Sequence, residues 1–152
     1  FMSAQAVKFG VINPQEIVNV MPDYATAQNT IKTVSDKYQT QAKALQDEYD
    51  KKMQEYQDLT KAKATEAQLE AKGKEIQDIQ TRFQNFQQTA QSDLQKQQET
   101  LMAPIEQKLN NAIQSVGAKG GYTAIFMEGA LMHKGSNLED VSAKVKAELG
   151  IK

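Results

Sequence analysis

The chain has 152 residues, 18 lysines and arginines against 19 aspartates and glutamates, a net charge of −1 and no cysteine. That balance leaves no electrostatic footprint for nucleic acid, and the absence of cysteine excludes disulfides and thiolate metal sites while fitting any compartment. The single histidine, His133, has no paired carboxylate nearby in sequence, and no phosphate-cradling glycine loop or zinc spacing occurs, so the inventory reads as a non-enzyme without a cofactor.

Residues 1–6 end in Ala4-Gln5-Ala6, the small-x-small form that signal peptidase leaves, directly before the first structured run. They read as the tail of an export signal, with an arbitrary start as the alternative. Val7 to Asn13 is a β-rich run stopped by Pro14 and is expected to be a strand, with Val7, Phe9 and Val11 on one face and Lys8, Gly10 and Ile12 on the other. Asn13 caps a brief helix over Gln15 to Val20, with Pro14 in its first turn. Met21-Pro22-Asp23 then resets the chain, with Asp23 capping the long segment beyond it.

From Asp23 to Val116 the chain is Gln-rich, and its apolar residues recur at alternating gaps of three and four. The first half carries Tyr38, Ala42, Leu45, Tyr49, Met53, Tyr56 and Leu59; the second carries Leu69, Ile76, Ile79, Phe83, Phe86 and Ala90. This period holds a narrow stripe on one side of a helix, as in a coiled-coil seam. The halves mirror each other. Folding back at Ala64 sets Leu59 against Leu69, Met53 against Ile76, Tyr49 against Ile79, Leu45 against Phe83, Ala42 against Phe86 and Tyr38 against Ala90. Large residues oppose small ones, which fills a seam of even width, and Tyr56 falls near Gly73, where room is needed. The register predicts an antiparallel helical hairpin with its tip near residues 61–65 and a capping box at Thr65 and Gln68. The alternative is one continuous helix partnered by another chain, for which so long a mirror would be coincidence. Arms of about 40 residues would each reach roughly 60 Å. No stretch approaches the ~18–20 apolar residues of a membrane span.

Pro104 should remove one backbone hydrogen bond and kink the return helix, harmlessly or as a hinge. Gly117 and Gly120-Gly121 stop that helix. Tyr122 to Met127 is expected to be a strand buried on both faces. Ala130 to His133 should form a short third strand, and Asp140 to Leu149 a closing amphipathic helix capped by Asp140 or by Ser136 with Glu139. The fold class is therefore α+β: a long antiparallel helical hairpin, residues 23–116, on a small β-rich oligomerisation body formed by residues 7–22 and 117–152. Three strands with uncovered faces would hardly be stable alone, so Val7, Phe9, Val11, Ile125, Phe126 and Met127 are expected to meet neighbouring subunits.

The chain resembles the Skp/OmpH family of periplasmic chaperones. The matching residues are Lys8-Phe9-Gly10-Val11-Ile12-Asn13, Ile17-Val18 and Pro22 at one end. At the other they are Gly121-Tyr122-Thr123-Ala124-Ile125-Phe126 and Leu138-Glu139-Asp140-Val141-Ser142-Ala143-Lys144-Val145, where Val141-Ser142 departs conservatively from the family's usual Ile-Thr or Leu-Thr. The resemblance implies a homotrimer in which strands of three subunits form a body. Three helical tentacles would surround a cavity that holds unfolded outer-membrane β-barrel proteins without ATP. Well-known members are strongly basic. Here Arg82 is the one arginine, so no lipopolysaccharide-binding patch is carried over. Lys51, Lys52, Lys61, Lys63, Lys72 and Lys74 around the tip are the candidate client contacts, against the simpler reading of a solvated face. Nothing in the sequence supports a membrane-surface contact.

The seam consumes most apolar residues of the hairpin, including Tyr38, Leu45, Tyr49, Met53, Ile76, Ile79, Phe83 and Phe86. Client holding would then rest on many weak contacts and on enclosure. Two rivals differ in class: a structural or adaptor coiled coil of the envelope, and a prefoldin-like chaperone subunit.

Overall fold

The structure is a computed structural model that describes residues 6–152; the signal-remnant reading of residues 1–6 falls almost wholly outside them. Strand β1 (Phe9–Ile12) is followed by α1 (Pro14–Val20), α2 (Pro22–Lys61), α3 (Glu66–Gly120), β2 (Ala124–Met127), a 3-10 turn (Glu128–Ala130), β3 (Glu139–Asp140) and α4 (Ser142–Glu148). Two compact units result, residues 6–29 with Glu99–Lys152, and Thr30–Gln98.

The first unit is built on a three-stranded sheet of order β2-β1-β3 in which both pairings are parallel. In this register Gly10 and Ile12 share a face with Ile125 and Met127, and Phe9 and Val11 share the other with Ala124 and Phe126. The core gathers Ile12, Ile17, Val18 and Met21 with Val141 and Val145 and with Ala27, Ile105, Leu109, Ala112 and Val116 of the long helices. The first turns of α2 and the last turns of α3 thus serve the core of this unit. Asn13 accepts a hydrogen bond from the Glu16 amide at 3.4 Å and caps α1, with Pro14 at its first position. Helix α2 starts one residue earlier than expected, at Pro22, so Asp23 lies in its first turn, paired with Lys108, and does not cap it.

Helix α3 runs through Pro104 without interruption and ends in a Schellman cap. The Tyr122 amide donates to the Gly117 carbonyl (3.0 Å), the Gly121 amide to that of Ala118 (3.4 Å), and Gly121 has φ +67°. Tyr122 then ties four elements together. Its hydroxyl donates to Glu139 (2.6 Å) and accepts from Lys144 (2.9 Å), while Lys8 lies 4.2 Å from the ring centroid and donates to the Gly120 carbonyl at 2.9 Å. Gly120 is required by this packing, because a Cβ there would fall 2.3 Å from the ring.

Three expectations are corrected. Ala130 to His133 forms no strand: Ala130 closes the 3-10 turn, and Met132 is fully exposed. The third strand is Glu139–Asp140, which pairs with Gly10 and Val11 and receives no help from side-chain propensity. Central β1 has two edges, one held by β2 and the other by β3, so residues 130–133 find none to join. Second, the strand near Tyr122 begins only at Ala124 and is not buried on both faces, since Phe126 and Met127 are 40% and 57% exposed at the sheet's edge. Third, helix α4 starts at Ser142, with Asp140 accepting from the Ser142 amide at 2.9 Å.

In the second unit α2 and α3 form the antiparallel hairpin. The chain reverses through residues 62–65, Lys63 taking a left-handed φ of 52°. The capping box is reciprocal: the Gln68 amide donates to Thr65 Oγ1 (3.3 Å) and the Thr65 amide to Gln68 Oε1 (3.0 Å). Leu45 and Tyr49 face Ile79 and Phe83 across one cleft, and Tyr38 meets Phe86 edge-on with ring centroids 5.8 Å apart. One packing expectation fails here: nothing lies within 4 Å of a Cβ built on Gly73, so Tyr56 does not use the space that the glycine leaves.

Candidate functional site

Two surfaces offer themselves for binding, one in each unit. The first is the exposed side of the sheet. Strand β2 carries its apolar side chains to an edge with no further strand, because the sheet stops there. Phe9 and Phe126 lie on the same face, centroids 5.6 Å apart, both partly exposed, with Val7 and Met127 more so. Val11 on that face is 1% exposed, and Ile125 packs on the chain's own core. Of the six residues assigned to subunit contact, four therefore stand open and two are already used within the chain. On the core-facing side, Met127 also lines a cleft of about 460 Å³ with Ile12, Val18, Met102, Leu109 and Ile113.

The second surface is the hairpin. Two helices cover each other from one side only, so the seam is largely half-buried: of its large residues only Ile79 is closed off, at 2% exposure. Polar contacts cross between the arms. Arg82 reaches Glu48 with both terminal nitrogens (3.1 and 3.3 Å), Lys52 reaches Glu75 (3.1 Å), Lys72 reaches Glu55 (2.7 Å), and the Tyr38 hydroxyl donates to Asp93 (2.6 Å). The Lys72 hydrogen bond is the main cause that holds the carboxyls of Glu55 and Glu75 below their ordinary value, and these two in turn push the Lys72 ammonium up. Asp93 is held down chiefly by Tyr38, then by Gln97.

These contacts sort the tip lysines. Lys52 and Lys72 are engaged in clasping the arms, and Lys74 pairs with Glu70 one turn away (3.3 Å). Lys51, Lys61 and Lys63 are exposed. The hydrophobic spacing could not reveal this division, since it depends on which lysine lands opposite a carboxylate across the seam. The hydrophobic pattern also left unmarked a groove on the hairpin flank, of about 470 Å³, whose floor is Leu45, Tyr49, Ile79 and Phe83 and whose rim is Gln46, Gln80, Gln84 and Gln87. Its signal was present: a glutamine comes directly after each of the seam residues Leu45, Ile79, Phe83 and Phe86.

His133 is exposed in the irregular segment between the 3-10 turn and β3. Among the described residues no group of three His, Cys, Asp or Glu could hold a metal ion, and no helix is long and apolar enough to cross a membrane.

Among curated proteins no significant match is found. The chain is similar in fold to the crystal structure of a candidate outer membrane chaperone (OmpH-like) from Caulobacter crescentus, with a TM-score of 0.81 and 16% identity over 97% of this chain and 86% of that one. The sequence pattern of the family described as outer membrane protein (OmpH-like) matches residues 8–149, nearly the whole length, and the chain belongs to that OmpH-like family.

Proposed function

We propose that this protein is an ATP-independent holdase chaperone of the periplasm. Three copies associate through their β-rich units, and their hairpins bound a cavity that takes up unfolded outer-membrane β-barrel proteins. Membership of the OmpH-like family supports a chaperone role, and the Caulobacter protein of the same fold is named for one.

The observation that carries this reading is the half-covered seam. A two-helix hairpin leaves apolar side chains such as Leu45, Tyr49 and Phe83 partly open to solvent along its length. The rim of their open side is uncharged amide, Gln46, Gln80, Gln84 and Gln87, so each contact with a client is weak, and enclosure by several arms supplies the total by multivalency. Weak, non-directional contacts shield a client without imposing a structure on it. The exposed Phe9 and Phe126 on the open side of a sheet of only three strands, with Met127 exposed at its free edge, supply the reason for association, since so small a sheet gains stability by covering its open side.

The test is aggregation of a urea-denatured β-barrel outer-membrane protein diluted into buffer, followed by light scattering. An excess of this protein is expected to suppress scattering without nucleotide. Unchanged scattering rejects the holdase reading.

A further inference from the structure

The two flanks of the hairpin seam are chemically unlike. On an α-helix, the residues just before and just after a seam residue lie ~100° to either side of it, and in an antiparallel pair like flanks meet. The preceding positions hold Glu48, Lys52 and Glu55 on α2 and Arg82, Glu75 and Lys72 on α3, which join as the cross-arm ion pairs. That side of the seam is closed by charge. The following positions on α3 hold Gln77, Gln80, Gln84, Gln87 and Gln91, directly after Ile76, Ile79, Phe83, Phe86 and Ala90, and all five are exposed. On α2 Gln46 comes after Leu45 in the same way and donates to Asp50, which follows Tyr49, at 2.9 Å. This side stays open, as the groove of about 470 Å³.

Resting on the holdase reading, we infer that the amide flank is the docking groove of the hairpin, and that its occupant is an extended, uncharged segment of an unfolded polypeptide. Three features select that occupant. Each glutamine amide both donates and accepts, which matches a backbone presenting N–H and C=O in alternation whatever its sequence. The residues Gln80, Gln84 and Gln87 are separated along the helix by rises of about 6 and 4.5 Å, shorter than the ~6.6 Å two-residue repeat of an extended chain by a margin that side chains with three rotatable bonds can span. Beneath them Leu45, Tyr49, Ile79 and Phe83 offer an apolar floor to alternate side chains. None of the residues lining the groove is charged, and Asp50, directly after Tyr49, already accepts from Gln46 at 2.9 Å, so a charged segment would lose hydration with little return.

The absence of native cysteine allows a direct test. Gln84→Cys places a benzophenone label on the amide flank, and Asn85→Cys, directly before Phe86, places it on the ion-pair flank. Each labelled full chain is illuminated with the urea-diluted β-barrel protein. Cross-linking to client is expected to be severalfold greater from position 84. The combined Gln80→Ala, Gln84→Ala, Gln87→Ala variant, whose substitutions favour helix, is expected to hold the client roughly tenfold more weakly, and Glu48→Gln with Arg82→Gln to hold it as before. Equal cross-linking from both flanks, or undiminished affinity of the triple variant, overturns the groove and leaves the holdase standing. Cross-links from position 84 to a second copy of this chain overturn it in favour of arm–arm contact. If the unaltered chain fails to suppress aggregation, the holdase reading falls and takes the occupant with it.

Discussion

Gly120 and Tyr122 are two residues apart, yet the close approach between them joins the C-terminus of α3 to β1, β3 and α4. A methyl group at position 120 would fall 2.3 and 2.8 Å from ring carbons of Tyr122. The ring cannot swing away without giving up its hydrogen bonds with Glu139 and Lys144. Gly120→Ala is therefore expected to destabilise the protein by about 1–3 kcal/mol, read from the midpoint of urea unfolding. Gly73 gives the opposite result. It sits in the interior of α3 with nothing within 4 Å of a built Cβ, so Gly73→Ala should raise stability by up to about 1 kcal/mol through helix propensity alone. In the sequence Gly73 looks like room made for Tyr56 and Gly120 like a simple helix stop, and the structure reverses which of the two is tied to packing. Only the surroundings separate a required glycine from a replaceable one.

At the scale of elements, the hairpin is zipped on one flank by carboxylates and cations. Glu55 and Glu75 have carboxyl pKa values lowered from 4.5 by their lysine partners, so the stability they contribute is present above that value and lost as pH falls below it. Lys72 is raised from 10.5, so its contribution is present below that pH and lost only as pH rises through its higher folded value. Thermal melting of the hairpin should thus be level from pH 6 to 9 and fall to lower temperature at about pH 3.5. Melting that is the same at pH 3.5 and 7 would show that the clasps contribute nothing. The hairpin itself was legible in the sequence, because a seam of period 3.5 and its mirror about Ala64 are set by local geometry and side-chain volume. The bend and the reciprocal Thr65–Gln68 cap were legible for the same reason. The third strand was not. Glu139–Asp140 is a strand because the edge of β1 is there to accept it, and residues 130–133, with the better strand composition, are left with no edge.

For the whole molecule the open side of the sheet is decisive. Phe9 of the central strand and Phe126 of edge strand β2 make one exposed aromatic pair, and Met127 follows Phe126 at the free edge. Placing charge there, as Phe126→Asp with Met127→Asp, should shift the protein toward monomer in sedimentation analysis while its helical circular dichroism remains. It should also weaken protection of the β-barrel client, since avidity requires several linked arms. A variant that sediments like the parent would move the association surface elsewhere.

By itself the sequence determined what depends on neighbours along the chain: the helical period, the fold-back point, the caps at Asn13 and Thr65, and a composition without cysteine. It also held the motifs of the OmpH-like family at both ends. What the tertiary structure alone decided depends on partners distant in sequence: Glu139–Asp140 beside β1, the Tyr122 latch, and the division of the seam into a closed ionic flank and an open amide flank. Periodicity tells which residues face inward. Whether a lysine or a glutamine beside the seam has an opposite charge within reach is settled only when two arms, dozens of residues apart, are laid together in register.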